Sequence, residues 1–271
     1  MSKRTPRPVP QFSTPIIETH CHLDYLPADE LEGELAAITA AGVDQIITIA
    51  VSPDNLSVVM DLVGRFEAVW GTQGIHPHEA DHWHDALRQT ISDGARHPKI
   101  VGIGEIGLDY HYLHSSRDAQ IKAFEEQLAL AGELDLPVVI HTREADDDTR
   151  AVLANHAGML RKKGVIHSFT SSLALAEYCL QEGFYLGFNG ICTFKNADNV
   201  RSVIAATPPE KILLETDAPY LTPVPYRGVP NASFYLPFIA EKVAELKDID
   251  TIDLLSIARA NSFNCFFELS I

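Results

Sequence analysis

The sequence predicts an α/β fold, a closed (β/α)8 TIM barrel with an additional C-terminal helix. Three observations carry that expectation. Eight short apolar segments rich in Val, Ile and Leu are bounded by Gly, Pro or polar residues, as strands buried on both faces of a parallel sheet are. A helical pattern follows each of them, and so many strand-helix units in one unbroken run suit a closed barrel better than an open doubly wound sheet. Histidines and carboxylates recur where the apolar segments end, and barrels of this kind gather their chemistry at the C-terminal ends of the strands.

Taken in order, the first strand covers residues 15–19 and stops at His20-Cys21-His22; a helix over 28–41 follows. The second strand, 45–51, stops at Ser52-Pro53 and leads to a helix over 56–66. The third, 69–75, runs into His76-Pro77, with a helix over 83–97 beyond it. Glycines punctuate the fourth, 100–105, which ends on Glu105; its helix, 117–134, is the longest of the eight. The fifth strand, 138–141, starts after Pro137 and ends on His141, and the sixth, 165–168, carries His167; helices over 145–160 and 173–182 return the chain. The seventh strand, 185–189, ends on Asn189 and precedes a helix over 196–206. The eighth, 212–217, ends on Asp217 and opens into a proline-rich loop, 219–230, placed to form a wall of a pocket. Helices over 233–246 and 250–267 complete the series, the last packed at the end as an extra element.

At 271 residues the chain is long enough for one large core, so residues 15–271 are expected to form a single domain after a disordered, Pro-rich tail over 1–14. A hydrophobic content of 46% and a charged content of 21% are those of an ordinary globular protein, and no apolar run is long enough to span a bilayer. Cys21, Cys179, Cys192 and Cys265 show no pairing rhythm, and no hydrophobic stretch follows the basic residues of the tail. Reduced thiols and a cytoplasmic location are therefore expected. The net charge of -16 argues against a broad basic nucleic-acid footprint, although divalent cations in an acidic pocket would reverse the local field.

His20 and His22 lie two apart at a strand end, so both imidazoles aim at one point. Alone such a pair is a weak metal signal. Glu105, His141, His167 and Asp217 at four other strand exits converge on the same mouth, and six such groups are costly to bury without a cation. Residues 102–107 also satisfy G-x-G-x-x-G, but Leu108-Asp109-Tyr110-His111 follows where a helix should start, so no nucleotide cofactor is expected. The glycines instead suit an approach of Glu105 to two metals, which its two oxygens could bridge. Asp217 can ligate a metal and accept a proton, or simply cap a helix. Glu215, two residues back, either orients a ligand or is an interior carboxylate. His76 could contact a substrate phosphate or protonate a leaving group, a role favoured for it over that of a plain loop histidine, whereas for His78, beside it in the same loop, the two readings are balanced. Arg143 is the candidate phosphate clamp, the alternative being a solvated arginine opposite Glu144.

Six segments occur in the order Thr-His-Cys-His-Leu-Asp, Gly-Ile-His-Pro-His, Gly-Glu-Ile-Gly-Leu-Asp-Tyr, Ile-His-Thr-Arg, Ile-His-Ser-Phe and Leu-Glu-Thr-Asp-Ala-Pro-Tyr-Leu. Through them the chain resembles the TatD-type metal-dependent deoxyribonucleases of the amidohydrolase superfamily, over about residues 16–267. The resemblance implies two divalent metal ions, Zn, Mg or Mn, with His20 and His22 on one, His141 and His167 on the other, Glu105 bridging, and Asp217 completing the cluster as base. His76 matches an additional pocket histidine. The family usually has aspartate where this chain has Glu18, which leaves that residue's supporting contact open.

The activity so implied is hydrolysis of DNA phosphodiesters, at single-stranded ends, by water that the two ions activate and Asp217 deprotonates. Tyr110, Phe169, Phe194 and Tyr226 lie near strand exits and could stack on bases. The alternatives are a metal-dependent ester, lactone or amide hydrolase, since the same bowl polarises carbonyls, and a non-catalytic binding barrel. A monomer without membrane contact is the simplest expected state.

Overall fold

The computed structural model describes residues 7–267 and shows β1 (Ile16–Cys21), α1 (Leu31–Ala40), β2 (Val43–Thr48), α2 (Leu56–Arg65), β3 (Val69–Gln73), α3 (Asp85–Gly94), β4 (Ile100–Asp109) and α4 (Arg117–Leu134). Beyond these come β5 (Val138–Arg143), α5 (Asp146–His156), β6 (Gly164–Ile166), α6 (Leu173–Gln181), β7 (Tyr185–Phe188), α7 (Asp198–Ala206), β8 (Ile212–Leu214), α8 (Leu236–Lys247) and α9 (Thr251–Phe266). All eight strands are parallel and neighbour one another in chain order, the TIM barrel that the sequence predicts, with α9 added after the eighth unit. Local chemistry supports each turn of the winding. Ser116 and Ser172 accept hydrogen bonds from Ala119 and Leu175 N–H at the starts of α4 and α6, and α2 buries Leu56, Val59, Leu62 and Val63 on one helical stripe.

Side-chain alternation positions the chemistry. Ile47, Ile49, Val101, Val139, Val165 and Leu213 form an apolar cluster closed by Cys265 and Phe266 at the end of α9. In β5, β6 and β8 the residue two further on points to the same side, so Val139 is followed by His141, Val165 by His167 and Leu213 by Glu215. The apolar filling of the barrel thus gives way to imidazoles and carboxylates at its C-terminal end.

β4 departs from the predicted strand. It runs four residues past Glu105, because Gly107, Leu108 and Asp109 pair with His141, Thr142 and Arg143 after a register shift between Ile103 and Ile106. Its glycines serve strand packing. A Cβ on Gly104 would come 2.6 Å from Val139 Cβ, and one on Gly107, whose φ is +135°, would come 2.0 Å from the His141 carbonyl oxygen. β8 is shorter than predicted, and Asp217 follows it in a left-handed conformation with φ 59°, leading into the proline-rich loop rather than capping a helix.

The tail also differs from expectation where it is described. Residues 7–14 form no helix or strand, yet Arg7 pairs with Glu241, its carbonyl accepts from Tyr226 Oη at 3.0 Å, and Phe12 packs against the core. All four cysteines are buried and unpaired. No described helix is long and apolar enough to cross a membrane.

The seam between β8 and β1 is closed by Glu18 rather than by a strand ladder among the described residues. Its Oε1 accepts from the backbone N–H groups of His20 (3.1 Å) and Thr216 (2.9 Å), and its Oε2 from Thr216 Oγ1 at 2.6 Å. Burial pushes its pKa up to about 8 despite these bonds. The seam is completed by Thr19 Oγ1 donating to Leu214 O at 3.0 Å and Asp217 N–H to His20 O at 2.9 Å. Removing the carboxyl would strand three buried donors, at about 1–3 kcal/mol each. Glu18→Ala is therefore expected to lower urea-unfolding stability by about 3 kcal/mol or more, and Glu18→Gln, which keeps an acceptor, by clearly less. Equal stability of both variants and the parent would refute this account of the seam.

Candidate metal centre

Glu105 stands at the middle of the mouth, buried, with its N–H held by Ala50 O at 2.7 Å. Its two oxygens face different groups. Oε2 lies 3.4 Å from His20 Nε2, whereas Oε1 lies 2.9 Å from His141 Nδ1, 2.8 Å from His167 Nε2 and 3.4 Å from His76 Nε2. Asp217 Oδ1 lies 3.5 Å from His22 Nε2 and 3.7 Å from His20 Nε2. Three overlapping donor triads result: His20, His22 and Asp217; His20, Glu105 and His167; His76, Glu105 and His141. The structure thus brings together all six residues expected to ligate metal and adds His76 to them.

These donors suit cations because they are short of other partners. Both ring nitrogens of His20, and Nδ1 of His22 and of His167, are buried and have no hydrogen-bond partner among the described residues. Electrostatics agrees. Burial works against charge on Glu105, but the facing imidazoles of His167, His76 and His141 outweigh it and hold the carboxyl well below the usual carboxylate range. Burial likewise opposes protonation of His167, yet Glu105 and Glu215 raise its pKa well above the ordinary imidazole value. Burial and the nearby His167 lower His20, and burial pushes His76 down to about 4. The carboxylates demand positive charge at this point, and imidazoles that bind a cation must give up their protons.

Around the donors lies a supporting layer. Glu215 is fully buried, accepts from Ser168 N–H at 2.6 Å and faces His167 Nδ1 at 3.7 Å, behind one of the converging imidazoles. A Cβ on Gly187 would come 2.3 Å from Glu215 Oε2, so β7 leaves room for that carboxylate. Glu18 touches the backbone of His20 rather than its ring, and the extra methylene carries it across the seam. Arg143 lies with its guanidinium 4.9 Å from the Tyr112 ring centroid, and Glu144 pairs with His111 Nδ1 at 2.7 Å instead.

Two features of the site go beyond what the sequence specifies. Asp109, which by its nearness to Glu105 could form a wall or a supporting contact, puts Oδ2 3.1 Å from both His141 Nε2 and His78 Nε2, while Oδ1 accepts from the N–H groups of His111 and Tyr112. It therefore orients His141 from the side opposite Glu105. The signal was the pleat of β4: only its extension to Asp109 reveals the contact. The exposed aromatic rings at the mouth are also other than expected. Tyr25 and Tyr220, 48% and 54% exposed, flank His22 at ring-centroid distances of 5.3 and 6.4 Å. Phe169 is 1% exposed, Tyr110 is buried and bonded to Asp148, and Tyr226 packs on Tyr235 and Phe238.

Residues 17–267 match the model of the family described as TatD related DNase. The chain belongs to the TatD-related DNase family. Among TatD relatives, the metal-dependent hydrolase YabD of Bacillus subtilis is 34% identical over 93% of this chain and 98% of its own length. The 3'-5' ssDNA/RNA exonuclease TatD of Klebsiella pneumoniae is 35% identical over 80% of this chain and 84% of its own. The crystal structure of the TatD homologue YjjV from Escherichia coli superposes with a TM-score of 0.88 at 31% identity, covering 93% of this chain and 97% of that one. The protein is accordingly a metal-dependent hydrolase of the TatD family.

Asp109 provides the test of this arrangement. Asp109→Asn is expected to weaken binding of the ion next to His141 about 10–100-fold while leaving the fold intact, measured by calorimetric titration of the apoprotein with Zn or Mn. Unaltered affinity would mean that His141 needs no orienting partner.

Proposed function

We propose that the protein is a two-metal nuclease acting on single-stranded ends of DNA. The observation that carries this reading is the orientation of Glu105, whose oxygens face His20 on one side and His141 and His167 on the other, as a carboxylate bridging two ions would. His20, His22 and Asp217 would hold one divalent ion, and His141 and His167 the second, with Zn, Mg and Mn all compatible with these donors. The bound ions supply Lewis acidity to a phosphodiester and to water.

The side chains do the rest. Burial favours neutral Asp217, but His22 and His20 hold its pKa below the ordinary aspartate value, so it is ionised at neutral pH and can take the proton from the attacking water. His76, with its pKa pushed down to about 4, stays neutral and supplies a hydrogen bond to the phosphate or the leaving oxygen. Arg143 has no carboxylate partner among the described residues and offers a planar fork to a neighbouring phosphate. Tyr25 and Tyr220 present half-exposed rings beside His22, where the terminal bases would stack. A reducing, cytoplasmic setting fits the four buried, unpaired cysteines.

Purified, metal-loaded protein is to be offered end-labelled single-stranded DNA beside a panel of lactones, aminoacyl esters and amides. Release of nucleotides from the DNA is expected, with Asp217→Asn retaining metal and losing about 10²–10⁴-fold in kcat. Turnover confined to the carbonyl substrates would replace the nuclease reading with that of an ester, lactone or amide hydrolase. Undiminished hydrolysis in the variant would show that the proton goes elsewhere.

A further inference from the structure

Beyond the metal centre, the loops that follow β7 and β8 enclose a groove of about 570 Å³, lined by Phe194, Lys195, Asn196, Asn199, Val224 and Arg227 among others. None of the metal-facing donors contributes to its lining. Its volume suits a ligand of nucleotide size. One wall follows Asn189 in sequence, a second follows Asp217, and Thr170, three residues past His167, closes a side. The groove is therefore assembled from the exits of β6, β7 and β8, at the same end of the barrel as the ligands.

Two of its lining residues are cations without a carboxylate partner among the described residues. The chain carries 37 acidic and 21 basic residues, and the paired cations Arg65, Arg88, Arg161, Lys242 and Arg259 each meet a carboxylate. Arg227 meets none among the described residues. Its guanidinium lies over the Phe194 ring at 3.9 Å from the centroid, and Nη1 donates to the Thr222 carbonyl at 3.1 Å. Lys195 is exposed beside it with no ion-pair partner among the described residues. The platform is held in place from below: Arg201 donates to the carbonyl oxygens of Phe194 (2.6 Å) and Lys195 (3.1 Å), and Thr193 Oγ1 accepts from Val224 N–H at 2.9 Å, tying the two loops together. A fixed aromatic ring covered by a planar cation, with a second cation alongside, is the combination on which a nucleobase stacks while its phosphate is neutralised.

We infer that this groove is a second nucleotide subsite, which holds a base against the Arg227–Phe194 stack and its phosphate against Lys195, one or more nucleotides away from the bond cut at the metal centre. The inference rests on the nuclease reading above. It assigns to the chain a means of gripping a single strand in spite of its net charge, and it makes affinity grow with strand length.

The test uses the full-length protein in EDTA, so that binding is read without turnover, and a dT8 oligonucleotide labelled with a fluorophore. Phe194→Ala and Arg227→Ala are each expected to raise the dissociation constant roughly tenfold, and Arg227→Lys, which keeps charge but loses the plane, to restore only part of it. Lys195→Ala should lower the slope of log K against log salt by about 0.7, the value for one phosphate contact on a single strand. With metal restored, kcat/KM on dT8 should fall about tenfold more in Phe194→Ala than kcat/KM on bis(p-nitrophenyl) phosphate, which is too small to reach both sites. Parental affinity and salt slope in all four variants, with DNA still cleaved, would overturn the subsite and leave the nuclease reading standing. A parent protein that hydrolyses the small diester but neither binds nor cleaves dT8 would overturn both.

Discussion

The structure depends on one electrostatic constraint: imidazoles and carboxylates crowd at the barrel mouth with too few hydrogen-bond partners to satisfy them. Glu105 lies within 3.4 Å of nitrogens from four histidines, and His20 has neither ring nitrogen hydrogen-bonded. Desolvating such groups is unfavourable unless positive charge is shared among them. Without metal, only protons drawn onto His167, His141 and His22 can serve, and the raised pKa values of these residues, against the opposing effect of burial, record that demand. Much of the surrounding architecture follows from holding this cluster in place. Glu18 locks the seam that carries His20 and Asp217, Asp109 fixes His141 from behind, and Glu215 stands behind His167 in space left by Gly187.

The barrel itself was legible because its signal is coarse and repeated. Strands buried on both faces read as apolar runs, and the switch from Val139 to His141 or from Val165 to His167 marks where the core ends and the mouth begins. The imidazoles and carboxylates that converge on the mouth were legible for the same reason, each standing at the exit of such a run. What escaped was set by departures from regular geometry. A register shift in β4 cannot be read from Gly102-Ile103-Gly104-Glu105, so the reach of that strand to Asp109, and the contact of Asp109 with His141, stayed hidden. Glu18 looked like a substitution one methylene too long, whereas the added length spans two strands that share no ladder. Aromatic residues near strand exits gave no indication of which rings face solvent: Phe169 and Tyr110 went inward, while Tyr25 and Tyr220 remained exposed beside His22.

The nuclease reading proposed above has to be reconciled with a chain of net charge -16. Most basic side chains of the described surface are engaged with carboxylates or carbonyl oxygens, but Arg143 and Arg227 lie on aromatic rings at the C-terminal ends of the strands. Two planar cations thus stand at the C-terminal ends of the strands without a carboxylate partner among the described residues.

The bridging role proposed for Glu105 is tested most directly by electron paramagnetic resonance of the protein loaded with Mn. Two ions sharing one carboxylate at about 3.5–4 Å are expected to give a spin-coupled dimanganese spectrum at saturation, and Glu105→Gln should convert it to that of isolated Mn. A spectrum of uncoupled Mn at every loading of the parent protein would contradict the account.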